Sequence, residues 1–358
     1  MSAYEELAKL PIEVDGFELI DNDKQVSADW TRGSTIVRFH GGGEDGIGED
    51  VGYEVLDHIA NRDLGPRFGL AGKRTLGELC ELIGSLDLYE GSPPEREVSR
   101  HYRRWAYESS ALDLALRQNG LSLHEAVGRD PKPVRFVCST RLSSFEEGSS
   151  STTDPIRRRL AKYPTLEFKL DPENDWSDEL IAEIRELAVV KTLDLKGYYQ
   201  GTVVEVQTDP ELYRKVAEAF PEAYLEDPAL DDETRQVLAP HRDRVTFDAP
   251  LHSVADIVEL APPKAINSKP SRWGSLAELF AAYEHCEREG LAIYGGGQGE
   301  VGPGRGQIQY LASLFHPDTP NDVAPAGYND PSVPDGLATS PMEPAPSASG
   351  FRWAEEPT

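Results

Sequence analysis

The chain has 358 residues, long enough to bury a large core, and its 39% hydrophobic content is that of an ordinary globular protein. A formal net charge of −27 argues against nucleic acid as a partner, because phosphate binding requires clustered Lys and Arg. No run approaches the ~20 apolar residues that span a bilayer, and MSAYEELAKLPIEVDG lacks a basic segment followed by an apolar one, so no membrane contact and a cytoplasmic protein are expected.

Residues 14–55 alternate apolar and polar and are rich in glycine, which predicts a small antiparallel meander with a mobile loop around Asp21 to Arg32. Residues 74–127 are helical in pattern. From Glu108 the spacing of Ala111, Leu112, Ala115 and Leu116 predicts one helical face that stops at Gly128. From Val134 the pattern becomes strand then helix, repeated. The strands are VRFVCS, LEFKL, VKTLDL, AYLED, RVTFDA, AINSK and LAIYGG, with helical stretches such as WSDELIAEIREL between them. Seven such units and a last short strand imply an α/β barrel with its active groups at the C-terminal strand ends. Beyond His316 the chain is rich in proline, yet GFRW near the end has aromatic surface to dock, so an extended segment packed on the first domain is expected. Cys80, Cys138 and Cys286 have no paired spacing and read as reduced, buried thiols.

Within the repeats, three acids sit at the ends of apolar runs between two lysines: Lys169, Asp194, Glu226, Asp248 and Lys269, with gaps of 25, 32, 22 and 21 residues. Each gap fits about one strand, one helix and two loops, so all five can project from successive strands into one pocket. Three carboxylates suit a hard cation, and two lysines can face each other across it as acid and base. Ser139 and Arg141 end the first barrel strand, in reach of a substrate's distal group or in a solvated loop. Trp30 and Arg32 fall in the mobile loop and are candidates for reading the substrate.

FKLDPENDW, LDLKG, YLEDP, FDAP, INSKPSRWG and GGQGEVGPGR together resemble the enolase superfamily, and within it the muconate cycloisomerase and o-succinylbenzoate synthase type. The resemblance covers most of the chain. It implies a modified (β/α)8 TIM-type barrel, (β/α)7β, over 129–324, an α+β capping domain over 1–128, and a segment 325–358 packing on the cap. It implies Lys169 and Lys269 as catalytic bases and acids, Asp194, Glu226 and Asp248 as Mg2+ ligands, and Glu300 in the seventh-strand turn. The implied chemistry is abstraction of a proton α to a carboxylate through a metal-stabilised enediolate, acting on a small-molecule carboxylate, with isomerase or lyase outcome, in a homo-oligomer. Alternatives are an o-succinylbenzoate synthase-type dehydratase and a non-catalytic relative that binds metal or ligand.

Three positions depart from the family pattern. Glu167 stands where a lysine is usual, Lys196 where Asn is common, and Ala249 where Glu is usual. Positions two apart on a strand share a face at ~7 Å, so Glu167 is expected to stabilise protonated Lys169 by roughly 2 kcal/mol. A Glu167–Lys196 pair across adjacent strands would cancel that penalty, and both residues are therefore expected to tune the pocket.

Overall fold

The computed structural model describes residues 2–25, 31–144, 148–202, 204–330 and 332–353. Trp30 lies outside the described residues. The N-terminal strands are β1 (Pro11–Val14), β2 (Gly16–Asp21), β3 (Lys24–Gln25), β4 (Thr31–Arg32), β5 (Thr35–Gly41), β6 (Glu44–Asp50) and β7 (Gly72–Thr75). All pair antiparallel, in a β2–β5–β6 sheet and the pairs β1–β7 and β3–β4. Along β5 the buried Val37 and Phe39 alternate with the outward Arg38 and His40, the period-two pattern of a sheet with one covered face.

Helix Ser99–Gln118 covers that sheet, and β6 carries glycine where the helix comes closest. A Cβ at Gly46 would lie 2.2 Å from Ser110 O, and one at Gly48 would lie 2.1 Å from Ala106 O. The single helical run expected from Glu108 to Gly128 is two helices. Gly120, at φ +64, turns the chain out of the first, and the second, Leu123–Val127, ends on Gly128 at φ +65.

The later strands are β8 (Cys138–Thr140), β9 (Glu167–Leu170), β10 (Val189–Asp194), β11 (Tyr224–Glu226), β12 (Val245–Thr246), β13 (Ala265–Ser268) and β14 (Ala292–Gly295). They are parallel, in the order β12–β11–β10–β9–β8 and as the pair β13–β14. The intervening helices start where the sequence offers a side-chain acceptor for their unpaired amides: Ser177 before Asp178–Leu187, Asp209 before Pro210–Ala219, Ser275 before Leu276–Glu289. Backbone bonds link the two groups of strands. Asn267 N donates to Phe247 O at 2.9 Å, Asp322 N to Gly295 O at 2.7 Å, and Val137 N to Asn321 O at 2.8 Å.

The last described segment lies on the N-terminal sheet and helix. Buried Asp113 accepts from Ile47 N at 2.9 Å, Phe351 N at 2.8 Å and Arg352 Nε at 2.8 Å. Phe351 and Trp353 pack against Trp105 and Tyr310. All three cysteines are buried and free. Among the described residues no helix is long and apolar enough to cross a membrane.

The charge of −27 sets the first expected result. Salt at 1 M shortens the screening length to about 3 Å, so raising KCl from about 0.05 to 1 M should relieve self-repulsion and lift Tm by roughly 5 °C or more. A Tm that falls over that range would mean that the surface ion pairs outweigh the net repulsion.

Candidate active site

The C-terminal ends of the parallel strands gather the charges. Asp194 and Glu226 are the last residues of β10 and β11, Lys169 is next to last in β9, Lys269 follows β13, and Asp248 lies two beyond β12. All five are buried, Lys269 most exposed at 7%. Lys169 Nζ lies 2.5 Å from Glu226 Oε1 and 3.2 Å from Asp194 Oδ2, and Lys269 Nζ lies 2.7 Å from Asp248 Oδ2. The lysines thus bracket the acids, one on the Asp194–Glu226 side and the other on the Asp248 side.

Strand-end position explains these five; the rest of the site comes from neighbours that spacing does not reveal. Asn267, two residues before Lys269 on β13, donates to both oxygens of Glu226 at 3.2 Å. Tyr294 OH donates to Glu226 Oε2 at 2.7 Å and pairs with Thr246 Oγ1 at 2.6 Å. Arg272, in the one-turn helix Pro270–Trp273, reaches Asp248 Oδ1 with Nε at 3.1 Å and Tyr199 OH with Nη2 at 2.8 Å. Tyr199 OH in turn donates to Asp248 Oδ2 at 3.3 Å. Asp322 faces Lys169 at 3.9 Å. Asn267 was open to sequence reasoning through the two-residue face rule; Tyr199, in a turn, and Arg272, in a single helical turn, are placed by segments too short to carry a periodic signal.

These contacts set the charges. Burial pushes the Glu226 carboxyl up; Lys169 opposes this, while Asp194 and Asp248 add to it, and the net value is about 7. Burial also raises Asp194, but Lys169 and Lys196 outweigh it and hold Asp194 well below the usual carboxylate range. For Lys169 burial favours the neutral amine, yet Asp194 and Glu226 prevail and its pKa is raised.

Oxygens of Asp194, Glu226 and Asp227 all lie within 4.8 Å of one another. Asp227 thus lies in this tight group, while the oxygens of Asp248 face Lys269 and Arg272. Asp227, at φ +51, accepts the amides of Asp248 at 2.8 Å and Ala249 at 2.9 Å, so it pins the loop after β12. An all-carboxylate donor set of this kind fits a hard divalent cation such as Mg2+.

Several tuning residues lie elsewhere than expected. Glu167 does not pair with Lys196. It is bound by Arg135 at 2.7–2.9 Å, with Lys191 at 3.7 Å. Glu167 opens β9, opposite Val189 at the start of β10, so it shares a face with Lys169 but sits about one pleat repeat deeper, away from the pocket end. Lys196 instead contacts Asp194 Oδ2 at 2.6 Å and Asp171 Oδ1 at 3.4 Å. Arg141 is turned to Glu173 at 2.5 Å and Ser143 at 3.0 Å, while Ser139 is half-buried on β8.

Arg32 is not poised for a substrate. Buried to 2% exposure, it spends all five N–H groups on carbonyls: Gly299 at 3.1 Å, Gly33 at 2.7 Å, Val51 at 2.7 Å, Gln298 at 2.8 Å, and Gly52. Glu300 lies in the same seam, accepting from Gln298 N at 2.8 Å, 3.4 Å from Arg305. Beside it Glu49 of β6 accepts the amides of Val301, Gly302 and Gly304 at 2.9–3.1 Å, which caps helix Pro303–Phe315.

Comparison with known proteins gives matches over nearly the whole chain. Residues 5–126 match the N-terminal domain, and residues 130–330 the C-terminal domain, of DUF8230, a domain of unknown function. The o-succinylbenzoate synthase of Bacillus subtilis (strain 168) is 26% identical over 231 residues, which span 61% of this chain and 57% of that protein. The N-succinylamino acid racemase of Thermus thermophilus is 25% identical over 336 residues, 88% of this chain and 85% of that one. Solved structures described as enolase-superfamily members share the fold. The dipeptide epimerase from Enterococcus faecalis V583 matches 96% of this chain and 100% of its own length, with a TM-score of 0.68 at 14% identity.

Proposed function

Because the chain belongs to the DUF8230 family and has the fold of enolase-superfamily enzymes, we propose that it is a Mg2+-dependent enzyme that removes a proton from the carbon next to a carboxylate, with isomerase or lyase outcome. The architecture in this reading is a (β/α)7β barrel under an α+β cap. The three linking backbone bonds and the seat of Phe351 and Arg352 on Asp113 support it.

One observation carries the function: acids at successive strand ends, with an ammonium at each side of the row. A Mg2+ ion held by Asp194, Glu226 and Asp248, with Asp227 adjoining, would supply the positive charge that an enediolate dianion needs. Lys169 and Lys269 approach from opposite sides, so a substrate lying between them presents one face of its α-carbon to each. One lysine takes the proton and the other returns it or protonates a leaving group. Asn267 and Tyr294 fix Glu226, and Arg272 with Tyr199 fixes Asp248, so the acids need not reorganise as charge develops. Lys169 must shed its proton to act as a base, which requires the carboxylates now holding it to be shared with another cation.

The test is a panel of carboxylic acids incubated in heavy water with Mg2+. Deuterium uptake at the α-carbon that stops with a chelator is the expected result; release of water from the substrate would identify the dehydratase form. A second reading, a non-catalytic relative, has one observation behind it. Asp194, Glu226 and Asp248 each already have a lysine within 2.5–2.7 Å. If the Mg2+-treated protein takes up no deuterium into any acid of a broad panel, that reading replaces the first.

A further inference from the structure

Two ammonium groups compete for one oxygen: Asp194 Oδ2 has Lys196 Nζ at 2.6 Å and Lys169 Nζ at 3.2 Å. A divalent ion that takes this oxygen must displace Lys196 from it or share it. The structure provides a second seat for that ammonium. Asp171 Oδ1 lies 3.4 Å from the same Nζ, is buried, and forms no hydrogen bond. The backbone aims the lysine at both acids. Lys196 adopts φ +55, a region that side chains with a Cβ seldom occupy. Flanking bonds from Leu195 N to Glu226 O and from Gly197 N to Asp227 O, both 2.8 Å, hold it there. The face of Tyr199, with its centroid 5.1 Å from Nζ, gives a cation a favourable surface along the way.

We propose that Lys196 and Asp171 form a two-position counterion for the cation site. The ammonium rests on Asp194 while that carboxylate has no divalent partner, and it moves fully onto Asp171 when an ion arrives. Lys196 thus acts as a tethered competitor that weakens ion binding, and Asp171 limits the penalty by receiving it. The acid that Lys196 shares with Asp194 is thus Asp171, just beyond β9, and not Glu167. This inference rests on the metal reading above.

Calorimetric titration of Mg2+ alone into the full chain tests it without any substrate. Lys196→Met keeps the side-chain length and removes the charge; it should bind Mg2+ about tenfold or more tightly, the scale on which groups behind metal ligands alter affinity. Asp171→Asn should weaken binding by a similar factor. The double variant should match Lys196→Met, because Asp171 acts only through the lysine. Thermal melts establish that each variant folds, and Lys196→Gln stands in if the methionine does not. The proposal is overturned if Lys196→Met binds no more tightly than the wild type, or if Asp171→Asn weakens binding equally in the Lys196→Met background. Asp194→Asn separates the two levels. If it binds as the wild type does, or if no variant binds, the metal reading fails and takes this one with it. If it loses binding while Lys196→Met leaves affinity unchanged, only the two-position counterion fails.

Discussion

Lys169→Met should lose α-proton exchange by about three orders of magnitude, the middle of the range in which a positioned acid or base contributes. The same change has a structural signature. It strips Glu226 of a partner at 2.5 Å and leaves Asp194 with Lys196 as its remaining lysine partner. Breaking a buried ion pair costs about 3–5 kcal/mol, so the variant should melt well below the wild type in a chelator. Mg2+ should then recover much of the loss, since a ligand that binds the folded state stabilises it. Lys269→Met is the companion measurement, expected to spare exchange on the face served by Lys169. Exchange in Lys169→Met within about threefold of the wild type would rule out Lys169 as the proton carrier.

Arg32→Ala should produce the largest fall in stability of any change outside the charged cluster. Its guanidinium joins β4 to the carbonyls of Val51 and Gly52 after β6 and to those of Gln298 and Gly299 after β14. Each hydrogen bond to a charged donor is worth about 1.5–3 kcal/mol, and the buried carbonyls would be left unpaired. Even with strong non-additivity the expected loss is about 4 kcal/mol or more, a drop in Tm of about 5 °C for a chain of this size. Arg32→Lys offers three donors in place of the planar fork and should recover only part of it. A melt within about 2 °C of the wild type would show that water replaces the guanidinium at little cost.

The parallel half was legible because each repeat carries its own start and stop. Strand boundaries from β9 to β14 fall within one residue of the apolar runs read from sequence, and Ser177, Asp209 and Ser275 mark helix starts. The gathering of Lys169, Asp194, Glu226, Asp248 and Lys269 was legible for the same reason, since the end of a parallel strand is a defined place in the fold. Depth along a strand was not. Glu167 obeys the two-residue face rule yet meets Arg135 and Lys191, because strand stagger, which pattern does not encode, decides what lies opposite. Arg32 and Arg272 show a second limit: a guanidinium goes where acceptors are concentrated, and those acceptors come from segments remote in sequence. The helix read as continuous to Gly128 failed at Gly120, one left-handed glycine inside an otherwise good apolar stripe.

Asp113 has a consequence for the order in which the molecule is made. Two of its partners, Phe351 and Arg352, lie 238 and 239 residues later in the chain. At a synthesis rate of about 5–20 residues per second, roughly 10–50 s separate the acid leaving the ribosome from the arrival of its partners. During that interval the carboxylate has Ile47 N but neither later partner, and the aromatic seat formed by Trp105 stays uncovered on the Phe351 side. The N-terminal sheet and helix can form early, but they cannot finish early. The N-terminal sheet and helix therefore mature together with the last described segment, and a nascent chain that stalls late leaves the Trp105 ring uncovered beside a half-satisfied acid.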